Sequence, residues 1–225
     1  MCSSGLSAEA VAAALAEGMS PEAVGEALSV AANKLLLHDP GRLEKHSSPG
    51  KPAGCVHGDS VGVHASDAAN AWRAIARVSN LRNQAASLIV GAYHTAGQVK
   101  WSSDTPYPYA ELLDGIRETN GKKLLAQAEE AIKSQDQARA CAIVQRYGDL
   151  KHAPRPAFDL LLKYAVSQDG ALHAEKYYRT ASEEFASARP AFRWRQLVAL
   201  ARVTASEFGY PAPGYAEARE LLDAV

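Results

Sequence analysis

Four of the seven histidines fall in one stretch of the chain: His38, His46, His57 and His64. Acids and a thiol lie among them, in the phrase Cys55-Val-His57-Gly-Asp59-Ser-Val-Gly-Val-His64-Ala-Ser-Asp67 and just before it at Asp39. Imidazole and carboxylate are nitrogen and oxygen donors suited to zinc, iron or manganese. Gly54, Gly58 and Gly62 would let the backbone close tightly around an ion. His64 and Asp67 are three residues apart, so on a helix they share a face. His94 lies near the end of the next expected helix, and antiparallel packing would return it to the same end. The expected site is a divalent transition metal, iron or zinc, held by His57, His64 and His94, with Asp67 and His173 as catalytic groups. The spacing matches no standard motif: there is no HExxH, no paired ExxH and no zinc-ribbon CxxC. Capping and turn formation are the alternative role for each of these histidines.

His173 enters through a repeat. His64-Ala65 recurs as His173-Ala174, and the same offset lays Leu88-Ile89-Val90 on Leu197-Val198-Ala199 and Thr95-Ala96 on Thr204-Ala205. If two such halves pack about a pseudo-twofold axis, His64 and His173 face one central cavity. A histidine at a helix N-terminus is held neutral by the positive end of the dipole, and a neutral imidazole can bind metal or accept a proton. The first copy carries an insertion the second lacks, Arg42–Val63, and loops on a duplicated scaffold are where sites are added.

The elements that must position these groups read as helices throughout. Ser7 and Ser20 look like N-caps, with Pro21 at a first helical position. Further helices are expected to about His38, from Ser66-Asp67 to Val78, over Leu81–Ala96, near Tyr109–Glu118, and over Lys122–Lys133, Gln135–Tyr147, Ala157–Val166, Leu172–Ala186, Ala191–Phe208 and Tyr215–Ala224. No stretch reads as a strand. The residues 41 to 63 are rich in Gly, Pro, Ser and His, with neither periodicity. The fold class is therefore all-α, a multi-helical array with an internal duplication of a helical unit. It divides into a first half at 1–120 with the His-rich loop 41–64, a connecting helical pair at 121–155 and a second half at 156–225.

Gly18-Met-Ser20-Pro-Glu-Ala-Val-Gly-Glu-Ala-Leu28 resembles a helix opening of the all-α alkylhydroperoxidase-like proteins. That family carries its chemistry on a CxxC pair, which Cys2, Cys55 and Cys141 do not form, so no site residue is carried over. Cys55 beside His57 lacks an identifiable third group to orient a nucleophile. The run Arg189-Pro-Ala-Phe192-Arg193-Trp194-Arg195 can stack on a base or bind an anion, but it reads better as a helix start. There Trp194 and Leu197 pack inward and the arginines pair with acids such as Glu183 and Glu184. Arg73, Arg77 and Arg82 read as a solvated or paired face.

Bulk properties bound the rest. The 225 residues suffice for a real core. A net charge of -1, from 24 basic and 25 acidic residues, gives no field for nucleic acid. No apolar run is long enough to span a bilayer. Unpaired, widely spaced cysteines suit a reducing cytoplasm. Two functions are expected from these features. One is a metal-dependent enzyme acting on a small organic substrate between the halves, an oxidoreductase because helical bundles often host His/carboxylate iron. The other is a non-catalytic helical interaction module, homo-oligomer or subunit of a larger assembly.

Overall fold

The computed structural model describes residues 3–56, 60–170 and 173–223. Among them the chain forms ten α-helices and three short 3-10 turns: α1 (Ser4–Ala16), α2 (Pro21–Leu36), α3 (Val61–Val78), α4 (Leu81–Gln98), α5 (Gly121–Lys133), α6 (Gln137–Asp149), α7 (Pro154–Ser167), α8 (Ala174–Ser187), α9 (Pro190–Glu207) and α10 (Tyr215–Asp223). The described residues contain only isolated β-bridges, Ser48 with Lys51 and Gln168 with Pro211. The all-α expectation holds.

Capping chemistry sets most boundaries. Ser20 accepts from the Ala23 N–H and Pro21 opens α2. Asn80, Asn120 and Asp136 cap α4, α5 and α6 in the same way. Two starts differ from the expected ones. Ser3, not Ser7, caps α1, because it stands one turn earlier and reaches the Leu6 N–H. α3 begins at Val61 rather than Ser66, because Ser60 caps it through the Val63 N–H. The segment expected as a helix near Tyr109–Glu118 is a 3-10 turn, Ala110–Gly115, with no side-chain cap and a glycine at its end.

Two triangles of three helices organise the array. α2, α3 and α4 pack mutually, and so do α7, α8 and α9. The offset that carries His64 onto His173 also carries both ends of α4 onto those of α9, and the end of α3 onto the end of α8. The main core lies around α9. It gathers Leu124 and Ile132 of α5, Ile143 and Val144 of α6, Leu161 of α7, Tyr177 and Ala181 of α8, and the α9 run Leu197–Ala201. Leu36 and Val63 of the first triangle join it. A smaller core holds Val24, Leu28, Ala76, Leu88 and Ala92, with Val11 and Leu15 of α1 against it.

After α2, the residues 42 to 55 form a loop closed at its neck, where the Arg42 N–H donates to the Cys55 carbonyl and the Gly54 N–H to the Arg42 carbonyl. Gly41 sits at φ +76, and a Cβ there would lie 2.4 Å from the Gly54 carbonyl oxygen, so neither the turn nor the neck admits a side chain. The return arm is buried: Val56 joins the main core and its N–H donates to the Ser206 hydroxyl.

Candidate functional site: a histidine-lined cleft between α3 and α8

α3 and α8 run side by side in the same direction. Their contacts rise together along both helices, from His64–His173 through Asp67–Thr180 to Asn70 and Arg73 with Glu184. The N-terminus of α3 is fixed by Asp39, a buried carboxylate that accepts from the Ser60 hydroxyl at 2.7 Å and the Gly62 N–H at 3.1 Å. Its other oxygen accepts from the Gly41 N–H at 2.8 Å. One side chain thus ties both ends of the loop and sets where His64 emerges. Gly62 lets this happen at close range, since a Cβ there would lie 2.2 Å from the Leu36 Cα. His173 occupies the N-cap position of α8, and its own N–H donates to the Gly170 carbonyl.

The two imidazoles meet edge to face, with centroids 4.8 Å apart and planes at 86°. Asp67 lies one turn along α3, and its Oδ1 accepts from the Thr180 hydroxyl at 2.7 Å. Burial pushes the Asp67 carboxyl above its ordinary value; the Thr180 bond and the nearby His173, His64 and Lys176 act in the opposite direction. These groups line an open cleft of about 540 Å³. Ala68, Ala71 and Ala74 keep its α3 wall low, while Lys176 and Arg179 of α8 bring positive charge. Arg179 is bound to Glu183 at 2.8 Å.

The cleft rests on a buried polar layer. Asn70 donates to one oxygen of Glu184 at 3.0 Å, and Arg73 forms a short ion pair with the other. Desolvation lowers the Arg73 pKa to about 10, which leaves it charged at neutral pH. This layer clamps α3 to α8 about two turns along α3 from His64.

The other expected site residues lie elsewhere. His57 falls outside the described residues, as does Asp59. His94 reaches α3 at Trp72, two turns beyond His64, or about 12 Å along the axis. The Trp72 indole N–H donates to His94 Nδ1 at 3.0 Å. That nitrogen must then be the acceptor, so the neutral ring carries its proton on Nε2 and has no lone pair left for a metal. Among the described residues no group of three or more His, Cys, Asp or Glu is arranged to hold a metal ion. Cys55 is buried in the return arm of the loop, and Cys141 is buried in the core, where desolvation pushes its thiol up to about 12. Neither is placed as a nucleophile.

Several charges are buried more deeply than sequence reasoning expected. Arg73, expected on a solvated or paired face, is paired with Glu184 and buried in the core. Arg202 is fully buried; its guanidinium donates to the Leu36 and Asp39 carbonyls at the end of α2 and lies 3.6 Å from the Tyr107 ring centroid. Glu207 ends α9 in the interior. The clue to Arg202 and Glu207 was present, since both sit within a long run of small and apolar residues after Gln196. The Arg189–Arg195 run does start a helix: Trp194 packs inward and donates to the Val144 carbonyl, while Arg189 pairs with Glu26 of α2.

Comparison with protein-family models, curated proteins and solved structures finds no match to this chain. Among the described residues no helix is long and apolar enough to cross a membrane.

Proposed function

We propose that the α3/α8 cleft is the active site of a metal-dependent enzyme acting on a small organic substrate, with His64 and His173 as paired ligands of a divalent transition metal. The observation that carries this reading is the approach of two imidazoles, one from each triangle, to a centroid separation of 4.8 Å on an open cleft. Metal–nitrogen bonds of about 2.1 Å put two rings on one tetrahedral ion about 5 Å apart between centroids. The separation of the two rings fits that spacing, and each would have to turn from the edge-to-face contact to aim one nitrogen at the ion. Asp67, held by the Thr180 hydroxyl, would supply negative charge beside the ion without ligating it. Two protein ligands would leave positions open for water and substrate. Lys176 would hold an anionic substrate group. Iron would make the centre an oxidoreductase and zinc a hydrolytic or lyase site, so metal identity decides the reaction class. The repeat offset shared by α4 and α9 supports descent of the two triangles from one unit, with the two histidines as counterparts.

Elemental analysis of protein purified without chelators tests this. About one equivalent of iron or zinc is the expected content, lost in His64→Ala and in His173→Ala with the helical circular dichroism intact. His94→Ala is expected to keep its metal. Metal-free protein that also fails to take up added zinc in calorimetry overturns the reading, and so does metal unchanged in both variants.

A second reading, a helical interaction module, is favoured by one feature. At the corner joining α3 to α4, Val78 is 86% exposed and Leu81 84%. Apolar side chains this open suit a second copy of the chain docking corner to corner. Sedimentation of the wild type against Val78→Ser with Leu81→Ser tests it; a monomer in both excludes self-association.

A further inference from the structure

A second cavity lies beside the first triangle, away from the His64–His173 pair, and its construction is unlike that of the cleft. It has a volume of about 500 Å³ and sits between α1, α2 and α4. Three helix faces converge on it, each at helical spacing: Ser7, Ala10 and Val11 from α1; Leu28, Ala31 and Leu35 from α2; Ala92, Ala96 and Val99 along α4 and just past its end. Alanine stands at Ala10, Ala31, Ala92 and Ala96, where a leucine would fill the space. The space is a groove open to solvent past Ala10, Ala31 and Val99, and all three helices contribute short side chains to it.

Polar groups gather at one end only. Lys34 and His38 come from the last turn of α2 and the residue pair after it, and Asp104 from the connector beyond α4. His38 Nδ1 lies 3.0 Å from the Ser103 carbonyl, which can only accept, so Nδ1 carries the proton and Nε2 is the free valence of the ring. An apolar barrel with a basic amine and an imidazole at its mouth, offset by one acid, matches an amphiphile with a hydrocarbon chain and an anionic head.

We propose that this cavity is a binding site for a single-chain carboxylate of about ten carbons. If a methylene takes up about the share of volume of one water, about 30 Å³, ten fill about 300 Å³ and leave room for the head group. The chain lies against Ala31, Ala92 and Ala96, and the carboxylate sits on the Lys34 ammonium; His38 Nε2, an acceptor in the neutral ring, would donate to it only as imidazolium. α1 is the wall that moves to admit it. That helix has no buried residue of its own, and it is joined to α2 through Gly18 at φ +91. The site is independent of the histidine cleft and stands or falls without it.

Calorimetric titration of the full chain with decanoate, decan-1-ol and decylammonium tests the proposal. Decanoate is expected to bind at least tenfold more tightly than either of the others. Ala96→Leu and Ala31→Leu each fill the cavity, and are expected to weaken decanoate binding at least tenfold while the thermal midpoint holds or rises. Lys34→Glu is expected to abolish the preference for the carboxylate while decan-1-ol binding stays the same. Absence of decanoate binding overturns the proposal. Equal or tighter binding of decan-1-ol or decylammonium overturns it too, and so does binding that the leucine variants leave unchanged.

Discussion

α4 and α9 are helices of the same length whose ends match at the offset from His64 to His173, yet they live in different surroundings. α9 is enclosed on every side: α2, α5, α6, α7 and α8 all pack on it, and every residue from Gln196 to Glu207 is buried. α4 is covered by α1, α2 and α3, buries only Ser87, Leu88, Gly91, Ala92 and Thr95, and opens on the alanine-lined cavity. The difference comes from what is added around each triangle. The α5–α6 pair closes α9 into a core, whereas α1 covers α4 loosely. Burial is concentrated around α9, and the alanine-lined cavity lies beside α4, where α1 buries no residue of its own. The histidine cleft is between the two, with one wall from each.

The largest test of this contrast compares two leucines at the same position along the two helices. Leu197 in α9 and Leu88 in α4 are both buried. Leu197→Ala leaves a hole that its enclosed surroundings cannot collapse, and is expected to cost about 4 kcal/mol in urea unfolding. Leu88→Ala, beside a region free to relax, is expected to cost about 2.5 kcal/mol. Equal losses would mean that coverage does not set local rigidity.

The clamp between the triangles comes next. Glu184→Ala strands the buried Arg73 guanidinium and is expected to cost about 3 kcal/mol. Asp159→Ala breaks the i,i+4 pair with Arg155 on α7, whose partners are 82% and 51% exposed, and is expected to change stability by less than about 0.5 kcal/mol. If the two variants behave alike, the Asn70–Arg73–Glu184 layer is not what holds α3 to α8.

The architecture was legible because helix periodicity, caps and Gly/Pro breaks agree along most of the chain. Ser20-Pro21 and Asn80 act as their types predict. The α3 start was not legible, because Val61-Gly-Val63 looks like loop until Asp39, far upstream, is seen to hold Ser60 and Gly62. The meeting of His64 with His173 was readable from the repeat offset, which needs no knowledge of packing. The fate of His94 was not. Antiparallel pairing was anticipated, but only the register of α3 on α4 decides that Trp72 takes its Nδ1. Buried charges were the hardest to read, because Arg73 is partnered by Glu184 from 111 positions away.

The smallest effect tests the contrast at one atom. Gln98 ends α4 and Glu207 ends α9, so the two occupy the same position in helices of equal length. Gln98 is half-buried, while Glu207 is buried against Gly170, where an added Cβ would lie 2.6 Å from its Oε1. Among the described residues that oxygen has no hydrogen-bond partner. Burial, then the nearby Glu175 and Asp169, push its carboxyl well above the ordinary value of 4.5. In the unfolded chain the group ionises at that ordinary value, while in the folded protein it keeps its proton to higher pH. The unfolded state therefore binds fewer protons above pH 4.5, and stability falls as pH rises until the folded group also ionises. Each tenfold gain in proton affinity on folding is worth about 1.4 kcal/mol. Glu207→Gln gives α9 the residue that α4 already has and removes this dependence. It is expected to raise stability at pH 8 by about 1 kcal/mol or more while leaving it unchanged at pH 4. A variant whose gain is the same at both pH values would show that Glu207 finds a partner for its charge inside the fold.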